Sequence, residues 1–349
     1  MIQPMPKDIY KSEYDYAIPE ELIAKFPPKN RVDSKLLSYS GKKFNIDPFK
    51  VIPKFFQEDD LIVFNETKVF KARLLLTKES GGKVEIFINK IRNKFEAICL
   101  TKGLNLKKKK QLLKTEKFPL KIVILHNENS LVHIKFNQNI DALCESIGHV
   151  PIPPYLNRTD QEDDKDRYQT VFANHKFIES AAAPTASLHF DEELFNSIRK
   201  NLNTCKISLA VGLGTFKPLS DKPITESSTL HDEDFFISDD AAQLINKQIQ
   251  NSKRIVSIGT TTLRALEAAW CKKQNMVKAG KNTTNIFIKE GYEFNVVNSL
   301  VTNFHLPQSS LLMLVSAFSG KEFILSAYKH AIEKKLRFFS YGDAMIIER

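Results

Sequence analysis

The chain has 349 residues, more than one hydrophobic core usually supports, so two domains are expected. Its formal net charge of +10 suits an anionic partner such as nucleic acid, but charge alone does not separate that from a membrane surface or simple solubility. Cys99, Cys144, Cys205 and Cys271 form no C-x-x-C pair, the first residues carry no apolar core of a secretory signal, and the longest apolar run, Leu311 to Phe318, is too short to span a bilayer, so a cytoplasmic protein with reduced thiols is expected.

In chain order, Pro19 and Glu20 open a short helix that Pro27 and Pro28 end. Leu61 to Phe64 is an apolar strand, followed by a polar turn at Asn65 to Lys68. From about residue 69 the texture is of short β-branched and aromatic segments (VFKARLLLT, KVEIFINK, FEAICLT, PLKIVILH, SLVHIKFN) with no helix between them, which predicts a small barrel or sandwich. Pro151, Pro153 and Pro154 mark a linker. Strands then alternate with helices predicted at Asp191 to Asn201, Asp239 to Gln250, Leu263 to Cys271 and Lys321 to Lys335. The expected architecture is an α/β domain made from residues 1–70 and 150–349, with a β-barrel domain inserted at 71–149.

Chemistry is sought in the turns that join apolar runs to hydroxyls, amides and histidines. In SIGTTTLRALEAA, Arg254 to Ile258 reads as a buried strand and Gly259 as a tight turn. Thr260, Thr261 and Thr262 either cap the next helix or, with its free N–H groups, seat a carboxylate or phosphate. In TNFHLPQSSLLMLVSAF, Pro307 stops a strand, Ser309 or Ser310 caps a buried helix, and Asn303 and His305 sit at the mouth of the turn. VGLGTFKPL holds a G-x-G after a strand but no third glycine, and Pro218 stands where a dinucleotide-binding helix should run. SAAAPTASLHF is a packing seam of small residues carrying Thr185 and His189. His231 and Glu233 would share one face of a strand as an acid/base pair or face solvent. Lys107, Lys108, Lys109 and Lys110 form a loop or track a phosphate backbone. No G-x-x-x-x-G-K-[ST], H-E-x-x-H or G-x-S-x-G occurs, and the eight histidines have no metal spacing, so no metal is expected.

The segments YDYAIPEELIAKFPPKNR, LIVFNETKVFKARL, GHVPIPPYLNR, DRYQTVF, AAPTASLHF, GYEF, LVTNFHLPQSSLLMLVSAFSG and RFFSYGDAM, in this order, resemble the S-adenosylmethionine:tRNA ribosyltransferase-isomerases of bacterial queuosine synthesis over almost the whole chain. The resemblance implies a transferase with S-adenosylmethionine as ribosyl donor, a tRNA carrying 7-aminomethyl-7-deazaguanine as acceptor, and epoxyqueuosine-tRNA, adenine and methionine as products. A monomer without a membrane partner is expected.

That chemistry needs a base beside the sulfonium, an acid for departing adenine and a neutral amine nucleophile. Within the matching motifs His189, Asp343 and His305 are the candidate proton carriers. Thr185, Thr260, Thr261, Thr262, Arg264, Asn303, Ser309, Tyr341, His231 and Glu233 are candidates for holding donor or base, and Arg73, Arg167, Tyr168 and Lys107 to Lys110 for tRNA. Ala210 and Asn285 stand where the family usually has histidine and aspartate. That departure keeps a rival reading open, a weakened or non-catalytic tRNA-binding paralogue. An ordinary methyltransferase is disfavoured by the missing glycine fingerprint.

Overall fold

The computed structural model describes residues 8–128, 131–174, 179–212, 219–225 and 228–349. Nine strands form one mixed sheet in the order Gly280–Thr284, Glu233–Ile237, Asn203–Leu209, Leu61–Asn65, Ile255–Ile258, Ser299–Asn303, Ala344–Glu348, Lys35–Ser40 and Lys43–Pro48. The four strands beginning at Asn203, Leu61, Ile255 and Ser299 are mutually parallel. Their sequences are near-continuous apolar runs because both faces are covered. Leu61 and Val63 face one core with Leu263, Leu266, Leu312 and Val315. Ile62 and Phe64 face the other with Phe49, Phe190, Leu194 and Phe195. The period-2 alternation of a strand thus feeds two helical layers from one short segment.

Six further strands, Arg73–Lys78, Lys83–Asn93, Glu96–Lys102, Lys110–Lys114, Pro119–Glu128 and Leu131–Phe136, close into an antiparallel barrel through the pairing of the first with the fourth. Inward residues such as Leu74, Ile86, Ala97, Cys99, Leu113, Ile122 and Ile134 fill it. The barrel leans on the open sheet where Lys90 Nζ meets Asp234 at 2.7 Å. The expected fold class, an α/β domain with an inserted small barrel, is what the molecule has.

Local expectations needed correction. The helix expected from Pro19 is one 3-10 turn, Glu20–Leu22, after which the chain becomes extended. The segment after the lysine run is a barrel strand, Lys110–Lys114, whose Gln111 amide also holds the lysine loop through the Asn105 and Lys108 carbonyls at 2.9 Å. A helix, Ile140–Ile147, follows the last barrel strand, its first turn capped by the Asn139 side chain. Asn65 belongs to the strand and is fully buried. Among the described residues no single helix is long and apolar enough to cross a bilayer.

Gly148 sits where the Ile140–Ile147 helix returns to the first barrel strand. A Cβ there would lie 2.3 Å from both the Cys144 and Lys71 carbonyl oxygens, which are backbone and cannot swing away. Gly148→Ala is therefore expected to lower stability by about 1–3 kcal/mol, the usual cost of overpacking. Urea unfolding of the variant against wild type measures it.

Candidate active site

Ligands of open α/β sheets bind at the carboxyl ends of the strands, where the order of strands reverses. Here the chain runs from Leu61–Asn65 out to Asn203–Leu209 on one side, then crosses to Ile255–Ile258 and Ser299–Asn303 on the other. The switch point falls between Asn65 and the turn at Gly259. Asn65 binds both sides: its amide donates to Leu209 O at 3.1 Å and Thr261 Oγ1 at 3.3 Å, and its Oδ1 accepts from the Leu209 and Thr67 N–H groups. Gly259 adopts φ 92°, a conformation that favours glycine, and so begins the Thr260–Ala269 helix at the strand end.

Over this crevice lies the 3-10 turn Thr185–His189. Its neighbours Ala181, Ala182, Ala183 and Ala186 are buried, and Ser180 Oγ ties them down by accepting from Val211 N at 2.7 Å. The result is a cavity of about 40 Å³ lined by Thr185, Thr260, Thr261, Thr302 and His305 together with Ala183, Ala186, Val211 and Gly259. A space of that size holds about one water. On the other side of Val211 a cleft of about 260 Å³ opens between barrel and sheet, lined by Asn89, Lys90, Asp141, Ala210, Gly212, Asp232, Glu233, Asp234 and Lys281. Successive residues at one strand end thus face two neighbouring spaces. A larger groove of about 560 Å³ follows the edge strand Lys43–Pro48 and touches neither set of residues.

His189 is 3% exposed and both its ring nitrogens are occupied. Nδ1 lies 2.8 Å from Ser34 Oγ and Nε2 3.1 Å from Asn303 Nδ2. Burial, helped by the charges of Arg337 and Arg31, pushes its pKa down to about 3. The proton-carrier role expected for His189 does not fit a ring so enclosed. His305 does line the cavity, its Nε2 3.0 Å from Thr302 Oγ1, and burial lowers its pKa to about 3 as well. Asp343 is not in the cavity. Its two oxygens accept from the Lys35 and Arg337 backbone N–H groups at 2.7 and 2.8 Å, and burial raises its pKa.

The binding candidates divide in the same way. Thr185, Thr260 and Thr261 reach the cavity, and Asn303 supports Thr185. Thr262 is turned inward, donating to Ile258 O, so the expected threonine cap is absent and Gly259 holds that position. Ser309 caps its helix by accepting from Leu312 N at 3.2 Å. Tyr341 donates to Asp164 Oδ1, itself in a two-pronged pair with Arg158, and lies outside both spaces. His231 and Glu233 form no pair: His231 is exposed before the strand starts, while Glu233 is buried, accepting from Arg264 Nη1 at 2.5 Å and Gly212 N at 3.1 Å. Gly214 of the G-x-G and Pro218 after it lie outside the described residues. The sequence reading does not single out Ser34 or the role of Asn65. Each is a small polar residue beside an apolar strand, the one signal that could have found them.

Among the tRNA candidates Tyr168 is 1% exposed, so it cannot meet RNA. Arg167 spends its guanidinium on the Lys29 and Pro28 carbonyls, and Arg73 pairs with Glu85 on the barrel wall. Lys107 to Lys110 remain exposed. Among the described residues no group of three or more His, Cys, Asp or Glu side chains is arranged to hold a metal.

Residues 11–347 match the family described as "Queuosine biosynthesis protein". The chain belongs to that family. An Acinetobacter baumannii S-adenosylmethionine:tRNA ribosyltransferase-isomerase is 41% identical over 340 residues, 97% of this chain and 98% of the relative. A Sulfurihydrogenibium enzyme of the same name is also 41% identical, over 96% of this chain and 99% of its own. A solved S-adenosylmethionine tRNA ribosyltransferase from Thermotoga maritima shares 28% identity at a TM-score of 0.53, covering 96% of this chain and 100% of that one. This family member is an enzyme of the transferase class.

The buried histidines give this enzyme a pH signature. Both rings titrate near 3 in the fold and near their ordinary value of 6.5 when unfolded, so between those values the unfolded chain binds protons that the native state does not. Their contribution is full above pH ~6.5 and is lost as pH falls, at about 1.4 kcal/mol per pH unit for each ring. Between pH 6.5 and 5, stability is expected to fall by about 2 kcal/mol per histidine, and His189→Gln should remove one share of that slope. Urea unfolding at pH 5, 6 and 7 reads it; an unchanged slope in the variant would show a histidine that is already protonated or solvated.

Proposed function

We propose that this enzyme uses S-adenosylmethionine as a ribosyl donor, transferring the ribosyl group to 7-aminomethyl-7-deazaguanine at the wobble position of tRNA. The group rearranges to an epoxycyclopentanediol, adenine and methionine depart, and the product is epoxyqueuosine-tRNA. The observation that carries this reading is the 41% identity to the named ribosyltransferase-isomerase over 97% of the chain, joined to a polar crevice at the sheet's switch point.

The chain's own groups suit the steps. The first N–H groups of the Thr260–Ala269 helix and the Thr260 and Thr261 hydroxyls favour a carboxylate such as that of the methionine portion. A 40 Å³ space is too small for the whole donor, so the rest of the donor extends past Val211 into the neighbouring cleft of about 260 Å³. The neighbouring cleft carries Asp141, Asp232, Glu233 and Asp234 against Lys90 and Lys281, an excess of negative charge that favours a sulfonium and a primary amine. His305 is the titratable side chain in the cavity lining, and unlike His189 it borders the space itself, where its imidazole is placed to take a proton from the carbon beside the sulfonium. Burial of the lining by alanines keeps water from the strained intermediate.

Purified protein given S-adenosylmethionine and tRNA bearing the aminomethyl base is expected to release adenine and methionine in equal amounts. His305→Gln should lower turnover by about 100-fold, the lower end for losing a general base. Chromatography of the released products tests both, and S-adenosylhomocysteine as product would replace this reading with methyl transfer. The rival paralogue rests on Ala210, which lines the cleft where the family usually has histidine, and on Asn285 in place of the usual aspartate; folded protein that binds tRNA and releases no adenine would establish it.

The tRNA is held in part by charge. Replacing the four exposed lysines Lys107 to Lys110 by alanine is expected to flatten the dependence of tRNA affinity on salt by about 0.7–0.9 log units for each phosphate no longer neutralised. S-adenosylmethionine affinity should stay unchanged. Filter binding from low to high salt decides it, an unaltered slope returning the run to a solvated loop.

A further inference from the structure

The hydrogen-bond chain through His189 has a fixed direction. Phe339 O can only accept, so it draws the NH2 side of the Asn303 amide, and the same NH2 group meets His189 Nε2 as a donor. Nε2 of the neutral ring therefore accepts, Nδ1 carries the proton and donates to Ser34 Oγ at 2.8 Å, and Ser34 donates onward to Arg31 O at 3.3 Å. Asn303 meets Nε2 with its NH2 group at 3.1 Å, the same group donating to Phe339 O at 3.2 Å, and this orients the amide so that Oδ1 faces Thr185. Thr185 Oγ1 donates its proton to that oxygen at 3.0 Å. The proton of Thr185 is thereby spent, and what the hydroxyl presents to the cavity is lone pairs alone.

We propose that Ser34, His189 and Asn303 form a positioning relay that fixes Thr185 Oγ1 as a hydrogen-bond acceptor, selecting a ligand that brings a hydroxyl or amino donor to this corner of the cavity. His189 transfers no proton in this arrangement. Its ring is buried against Phe49, centroids 4.8 Å apart, and polarises the amide while remaining neutral. The inference rests on the cavity being the donor site of the proposed reaction, and it names the group of S-adenosylmethionine that Thr185 reads: the α-ammonium beside the carboxylate seated at the helix start, never an acceptor atom.

Two amides placed at different depths separate this relay from proton transfer. In His189→Gln the side-chain oxygen falls near the Nε2 position and can still accept from Asn303, whereas in His189→Asn it falls near Nδ1 and leaves the Asn303 amide without its partner. The relay predicts that Gln keeps turnover within about threefold of wild type, while Asn loses about tenfold or more, the scale of an unsatisfied buried amide. Thr185→Val should raise the S-adenosylmethionine Kd by a similar factor and Thr185→Ser should restore it. The pH–rate profile of His189→Gln should keep both limbs. Equal loss in Gln and Asn, or disappearance of a limb in Gln, would overturn the relay in favour of acid–base catalysis by His189. Full activity in both would overturn it in favour of packing alone. Calorimetric binding of S-adenosylmethionine to the same variants reads the relay even if wild type releases no adenine, so failure of the proposed reaction and failure of the relay are told apart.

Discussion

Everything at the site depends on how the backbone and side-chain polar groups are satisfied where four parallel, doubly covered strands end together. Such strands have no solvent on either face, so unpaired groups collect at their carboxyl ends. Asn65 answers this with four hydrogen bonds across the switch point, two given and two received. Asn303 acts likewise at the end of the parallel strand two places along, donating toward His189 and Phe339 and accepting from Thr185. A buried amide left without partners costs about 1–3 kcal/mol, so these ends keep one geometry. The crevice between them is the space a ligand can use.

Buried charge is spent on architecture around this crevice. Arg158 and Asp164 make a two-pronged pair that also receives Tyr341, fastening the segment after the barrel to the carboxyl-terminal turn. Arg254 and Asp60 make another two-pronged pair, at the amino ends of the parallel strands that begin at Ile255 and Leu61, and Arg264 pairs with Glu233 beside the cleft. Breaking one partner of such a pair costs about 3–5 kcal/mol, because it strands the other charge. Glu233 differs from the others in lining the cleft and in holding Gly212 N, so it joins the scaffold to the space where substrate charge would sit. Asp343, which accepts two backbone N–H groups beside Ser34, stands behind the His189 chain as a backbone clamp.

The amino-acid sequence by itself determined the class of fold and the place to look. Short β-branched and aromatic segments from Ala72 to Phe136 predict a sheet with one buried face, and the apolar runs at Leu61, Ile255 and Ser299 followed at once by polar residues mark strand ends, where open α/β sheets hold their ligands. That pattern places Thr260, Thr261, Asn303 and His305 at strand ends, whereas Thr185 comes from the turn of small residues over them. Local pattern also carried the Ser309 cap, which needs only its own helix.

Which of the polar residues face the cavity was decided by tertiary structure alone, because it depends on partners far away in sequence. His189 and Asp343 look alike as titratable groups in a motif, yet one is closed off by Ser34 and Asn303, 155 and 114 residues distant, and the other by the backbone of Lys35, 308 residues distant. Tyr168 reads as a residue for tRNA and Tyr341 as one for the donor or base, and both are buried by packing between the linker and the carboxyl-terminal turn. His231 and Glu233 are two apart in sequence, but the strand begins at Glu233, so the shared face never forms. Sequence spacing fixes which side chains can share a local element; only the assembled chain fixes which of them have already given their hydrogen bonds away.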